Sequence, residues 1–219
     1  MTSRDEDFIA AVRTGDLTRV NALLAADPAC IRTRHHGASA LLIARYYGQL
    51  PMVALLRSRL SALDVFEAAA LGEEKRVAEL LDGDPALANA VAEDGFGPLG
   101  LAAFFDHEPV VRLLLARGAH VDTPASNHMR VMPLHSAAAA HSVPIAQLLL
   151  AHGAPVNARQ GEGDRGFTPL MEAAFNGQVE MVDLLLAHGA DPGLRDEKNL
   201  SAADHARARG HAALAERLR

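Results

Sequence analysis

The sequence predicts an all-α solenoid of stacked helix–turn–helix units, on three observations. One stretch, 166–192, reads GFTPLMEAAFNGQVEMVDLLLAHGADP and contains a complete unit. A residue placed to end a first helix recurs at Gly15, Gly48, Gly72, Asp106, His141, Gly177 and Gly210, at spacings of 33, 24, 34, 35, 36 and 33 residues. Hydrophobic residues make up 49% of the chain, yet only 4% are aromatic and tryptophan is absent. A core of Leu, Val and Ala suits thin helices stacked closely, and a period in this range is the mark of repeat architectures.

The stretch 166–192 shows how each unit is built. Thr168 is an N-cap residue, and Pro169 follows at the first helical position, where a missing N–H costs nothing. Leu170, Ala173 and Ala174 give a first helix of about two turns, and Gly177 ends it in the left-handed conformation. The second helix is apolar at Val179, Met181, Val182, Leu184, Leu185 and Leu186. Glu180, Asp183 and Ala187 leave one narrow stripe for water. Gly189 stops this helix. Such a helix needs cover on nearly every side, so the unit needs copies beside it.

The copies follow in one register. Approximate limits are 5–34 (a cap), 35–60, 61–92, 93–127, 128–162, 163–198 and 199–219 (a closing cap), forming a single domain. The first cap has both helices but lacks the leading Thr-Pro-Leu turn, and its polar lead shields the end of the stack, as terminal repeats must. The third unit is closer to the first than to its neighbours: Gly15/Gly72, Val20/Val77 and Asp27-Pro28/Asp84-Pro85 all lie 57 residues apart, which points to duplication of a two-unit block. The last unit carries Ser201 before its first helix and a polar final helix. Between Leu56 and Phe66 the chain is too short for a full connecting finger, so an interruption of the binding face is expected there. Conversely, 123–130 and 158–165 exceed a standard connection and are expected to project or bulge; long loops on a rigid scaffold are where function concentrates.

Phe167-Thr168-Pro169-Leu170, Met132-Pro133-Leu134-His135 and Gly97-Pro98-Leu99 resemble the opening turn of the ankyrin repeat. The endings LLLARGA at 113–119 and LLLAHGA at 148–154 and 184–190 resemble that family's second helix. Val121-Asp122 and Val156-Asn157 match the finger that follows it. The resemblance covers residues 5–219. It implies an ankyrin solenoid of about seven repeats with short β-turn fingers, acting as a non-enzymatic scaffold that binds another protein on its concave face, built from finger tips and the exposed ends of the first helices.

Seven of the nine aromatic residues fall on positions that line that face: Tyr46, Tyr47, Phe104, Phe105 and Phe175 at first-helix ends, and Phe96 and Phe167 in fingers. Only Phe8 and Phe66 fall at core positions. Aromatics are the usual anchors of interface hot spots. The partner-binding candidates are therefore these seven with His128, Met129 and Arg165. A small-ligand or metal site, or an enzyme, using the extended fingers after Asp122 and Asn157 is the alternative.

Other chemistry finds little support. Gly161 to Gly166 spells GxGxxG, but a dinucleotide fingerprint needs a strand before it and a full helix after it. His152 and His188 share one repeat position at a helix end, where a cation suits the dipole. His135 is expected to bond backbone near its own turn, and His35-His36 has no metal-ligand spacing around it. No metal, cofactor or catalytic residue is expected. The net charge of −6 gives no general attraction to nucleic acid or acidic membranes. Cys30 is the one cysteine, the amino-terminal residues lack a signal-peptide pattern, and no apolar run is long enough to cross a bilayer. A monomeric, cytoplasmic protein is expected.

Overall fold

The computed structural model describes residues 3–161 and 166–219. Among these, fourteen α-helices form seven helix–turn–helix pairs. The first helices are α1 (Ser3–Thr14), α3 (Ala40–Tyr46), α5 (Val65–Leu71), α7 (Pro98–Phe104), α9 (Pro133–Ala139), α11 (Pro169–Phe175) and α13 (Ala202–Ala208). The second helices are α2 (Leu17–Ala26), α4 (Leu50–Arg59), α6 (Glu74–Gly83), α8 (Glu108–Ala116), α10 (Val143–Ala151), α12 (Val179–Ala187) and α14 (Ala212–Arg217). Each first helix packs on the next first helix, and α6, α8, α10 and α12 pack in a second row.

The first helices come close because their shared faces are small. Ala68, Ala69, Ala102, Ala103, Ala137, Ala138, Ala173 and Ala174 are all fully buried. Four of the first helices, α3, α5, α11 and α13, are capped by the side chains of Ser39, Asp64, Thr168 and Ser201. Thr168 Oγ1 accepts from the Met171 N–H at 3.2 Å. Asp64 with Glu67, and Ser201 with Asp204, form capping boxes. Their ends turn at Gly15, Gly48, Gly72, Asp106, His141, Gly177 and Gly210, every one of which has positive φ. In three units the next unit's side chain lies over that glycine. A Cβ on Gly15, Gly72 or Gly177 would fall within about 2.5 Å of Gln49, His107 or His211.

The second helices are wetter than their sequence suggests. Glu180, Asp183 and Ala187 are exposed as expected, but so is Val179, and Leu184 and Leu186 are only half-buried. The outer row is covered on its inner side alone, so the polar stripe is broad rather than narrow.

The 57-residue echo appears as matched geometry. Asp27 and Asp84 adopt nearly identical extended backbones and each caps a short 3₁₀ turn, Pro28–Arg32 and Pro85–Asn89. Their carboxylates accept from Ala29 and Ala86 N–H, both at 3.0 Å.

Fingers connect the units along one edge. The first contains β1 (Arg34–His35) paired antiparallel with β2 (Ala38–Ser39). Between α4 and α5 only residues 60–64 remain, so no finger forms there. The expected interruption of the face is nevertheless absent. Gly37, at φ +82°, sits directly on the next finger, where an added Cβ would lie 2.3 Å from the Glu93 carbonyl carbon. The backbone amide of Ser126 then donates to Gly95 O, and that of Gly161 to Met129 O. Arg159 donates to the Arg195 carbonyl at 2.9 Å. Asn89 and Asn157 repeat one device, each spanning an N–H and a carbonyl of the following finger. The extra residues of 123–130 are thus drawn sideways onto both neighbours: Asn127 Nδ2 donates to Asp94 O at 2.9 Å, and Arg130 takes φ +46° to make the turn. The second extended connection, 158–165, lies partly outside the described residues.

Candidate protein-interaction face

Three of the aromatic residues share one register position, and there they alternate with alanine. Two residues before the turn, successive units from the second onward carry Tyr46, Ala70, Phe104, Ala139, Phe175 and Ala208. Large rings on alternate units stand over small alanines between them. The first gap, above Ala70, is closed. With no finger between the second and third units, the Tyr46 ring reaches Phe105 at 5.6 Å and Phe96 at 6.3 Å between centroids. Arg45 lies over Phe105 at 4.3 Å, within range of a cation–π contact. Phe104 meets Phe105 edge to face at 5.0 Å.

The second gap stays open. Above Ala139 there is a cavity of about 410 Å³, walled by Tyr46, Phe96 and Phe104 on one side and by Met129 and Val131 of the first extended finger on another. Its floor is Gly100, Leu101, His135 and Ser136, and Gln160 and Glu172 complete it. The size and the largely apolar lining are those of a binding pocket.

A second aromatic group lies further along. Phe167 and Phe175 are 6.4 Å apart, both meet the His205 ring, and Arg209 lies over Phe175 at 4.6 Å. His205 Nε2 bonds Asp196 Oδ2 at 2.8 Å. Burial opposes the charge on Asp196, but the Leu200 and Lys198 amides and His205 outweigh it and hold the carboxyl below its ordinary range. Phe167, Phe175, His128, Met129 and His205 line a broader depression beside the cavity.

The sequence candidates therefore separate by role. Tyr46, Phe96, Phe104 and Met129 share the cavity. Phe105 is pressed into the packing under Tyr46 and Arg45, and Tyr46 donates its hydroxyl to Asp94 at 3.3 Å. Burial, reinforced by Asp94, keeps that phenol far above its ordinary pKa. Tyr47, Phe104 and Met129 are exposed at 56%, 43% and 43%. Tyr47 stands apart from the cavity, with Arg13 at 5.6 Å from its ring. Arg165, like most of the GxGxxG segment, lies outside the described residues. Sequence reasoning missed Val131, Gln160, Glu172 and Gly100, none of which carries a signal until the units are stacked.

His135, His152 and His188 each bond a backbone carbonyl. His135 does not bond its own turn: its Nε2 donates to Phe167 O, 32 residues on, at 3.0 Å. The acceptor belongs to the next finger, which stacks on the fifth unit, so it is set by the neighbouring unit rather than by the local turn. Burial holds its imidazole down to about 4, so it is neutral. His152 and His188 bond the Leu148 and Leu184 carbonyls of their own helix ends. Among the described residues no three His, Cys, Asp or Glu side chains are grouped to hold a metal ion, and no helix is long and apolar enough to cross a membrane.

Comparison with known families agrees with this architecture. The family model for the ankyrin repeat matches residues 94–126, and that for ankyrin repeats in three copies matches 125–196. The chain is an ankyrin-repeat protein. A 65-residue stretch, 30% of the chain, is 42% identical to mouse (Mus musculus) ankyrin repeat and SAM domain-containing protein 6. The matched stretch spans 7% of that protein's length. Ankyrin repeats are in general protein–protein interaction modules, and the family is typically a non-enzymatic scaffold.

Proposed function

We propose that this ankyrin-repeat protein is a non-enzymatic scaffold that takes a partner protein on its concave face, through the aromatic first-helix ends and the finger tips. The observation that carries the proposal is the exposure of Tyr47, Phe104 and Met129 on first-helix ends and a finger. Large apolar side chains left in water, two of them lining a cavity, favour association. Phe167, Phe175 and His128 extend the same face, and Arg165 belongs to the proposal through its place in the sixth unit's finger. Within this reading the protein is a cytoplasmic monomer forming one domain of seven repeats.

The test uses the side chains that recognition needs and packing does not. Tyr47→Ser, Phe104→Ser and Met129→Ser combined should leave the circular dichroism spectrum and melting temperature of the parent protein. Partner capture from the native cell extract, read by quantitative mass spectrometry, should be lost. Unchanged capture by the triple variant rules the face out.

A further inference from the structure

The cavity above Ala139 says what the partner must bring. We infer that the partner is anchored by a bulky apolar side chain, phenylalanine, leucine or methionine, inserted above Ala139, with a lysine or arginine a few residues away that pairs with Glu172. This rests on the protein-binding reading of the face and goes beyond it by naming the anchor.

Two observations carry the inference. The first is that the cavity exists by register. Phe104 and Phe175 occupy the equivalent position in the flanking units, where the fifth unit has only Ala139. The floor is kept open again by Gly100, where an added Cβ would meet nothing within 4 Å. An apolar volume of about 410 Å³ accommodates a large side chain and the start of its neighbours. The cavity is also continuous with the exposed side chains of Phe104 and Met129, so a side chain entering it buries them too.

The second is charge. Of the cavity residues, Glu172 alone carries a formal charge at neutral pH. The equivalent residues from the second unit onward are Ile43, Glu67, Leu101, Ser136, Glu172 and His205, and the other carboxylate of the series, Glu67, is spent in the capping box with Asp64. Glu172 Oε1 accepts one hydrogen bond, from Asn176 Nδ2 at 2.9 Å, and no basic side chain among the described residues forms an ion pair with it. His205, the next residue of that series, is already committed to Asp196. A carboxylate at the edge of an apolar pocket selects a cationic group beside an apolar one, because an acidic or purely polar segment would leave it unpaired.

Panning a phage-displayed library of random peptides of about twelve residues on the full chain tests this directly, with affinities of the selected peptides read by fluorescence polarisation. The expected motif is an aromatic or long aliphatic residue with Lys or Arg within about four positions, one helical turn. Ala139→Phe should weaken the selected peptides about tenfold or more by filling the cavity, and Gly100→Leu should do the same from the floor. Glu172→Gln should weaken them about three- to tenfold, and the loss should shrink in high salt. Both filling variants place side chains in open space, and either alone suffices. Selected peptides that lack the basic residue, or that bind Ala139→Phe and Gly100→Leu as tightly as the parent, overturn the anchor. If such peptides are lost with the Tyr47, Phe104 and Met129 triple variant, the protein-binding reading stands without it. Failure of the library to yield any binder overturns the anchor as well.

Discussion

The Tyr46 hydroxyl and the Asp94 carboxylate, 48 residues apart in sequence, meet at 3.3 Å across the place where the third unit has no finger. With Gly37 seated on Glu93, this contact makes the first two fingers neighbours and keeps the aromatic face continuous. Burial raises the pKa of Asp94, while hydrogen bonds from the Phe96 amide and Tyr46 partly offset that rise. Tyr46→Phe removes one donor and leaves the ring. It should cost about 1 kcal/mol at neutral pH. Because the folded pKa of Asp94 is raised, its ionisation opposes folding as pH climbs through that value. The cost should therefore fade below about pH 4, where Asp94 is protonated in both folded and unfolded states. Urea unfolding at the two pH values checks this.

Gly37 and Gly48 separate steric contact from backbone conformation. Both have positive φ, +82° and +67°, but an added Cβ meets Glu93 backbone at Gly37 and nothing within 4 Å at Gly48. Gly48→Ala should cost about 1 kcal/mol through φ alone. Gly37→Ala should cost more, about 2–4 kcal/mol, since the adjoining finger must move. Paired thermal melts decide it, and equal losses would show that the two fingers are not in firm contact.

His135 makes stability fall in acid. Its folded pKa is about 4, against 6.5 when free, so its contribution is complete above 6.5 and is lost as pH falls toward 4. At about 1.4 kcal/mol per unit this is roughly 3 kcal/mol. His107 is also lowered by burial and acts in the same direction, so the comparison must be between parent and variant. His135→Gln keeps a donor for Phe167 O and should flatten the stability profile between about pH 6.5 and 4 by that amount, as measured by denaturant unfolding.

Asp196 organises the last finger by accepting from the Lys198 and Leu200 amides and from His205. Asp196→Asn should cost about 2 kcal/mol at neutral pH. Its folded pKa is depressed, so the parent's advantage is present above the ordinary carboxylate value and disappears as pH falls through the folded one. Faster amide exchange at Lys198 and Leu200 is the local readout.

Much of this architecture is legible from residue chemistry. The seven turn positions could be aligned because only a left-handed residue ends these helices, and Asp106 and His141 took φ near +60° where glycine was absent. The cap at Thr168 and the Asp27/Asp84 pair follow from local hydrogen bonding, which sequence carries directly. What depends on neighbouring units was not visible. Val179 reads as core until the outer row is seen to have cover on one side only. The shortened connection at 60–64 reads as a gap, because nothing local says that Gly37 and Glu93 can close it. His135 reads as a local capping residue although its acceptor belongs to the next finger. The aromatic positions were legible, whereas the cavity between them depends on Ala139 and Gly100, where side chains are small or missing.

The central claim is that partners bind the face formed by first-helix ends and finger tips. Hydrogen–deuterium exchange by mass spectrometry, on the protein alone and with its captured partner, tests it most directly. The account predicts slowed exchange in 44–48, 94–105 and 127–132 on binding, with α6, α8 and α10 unchanged. Protection confined to those second helices, with the first-helix ends and fingers unaffected, would contradict it.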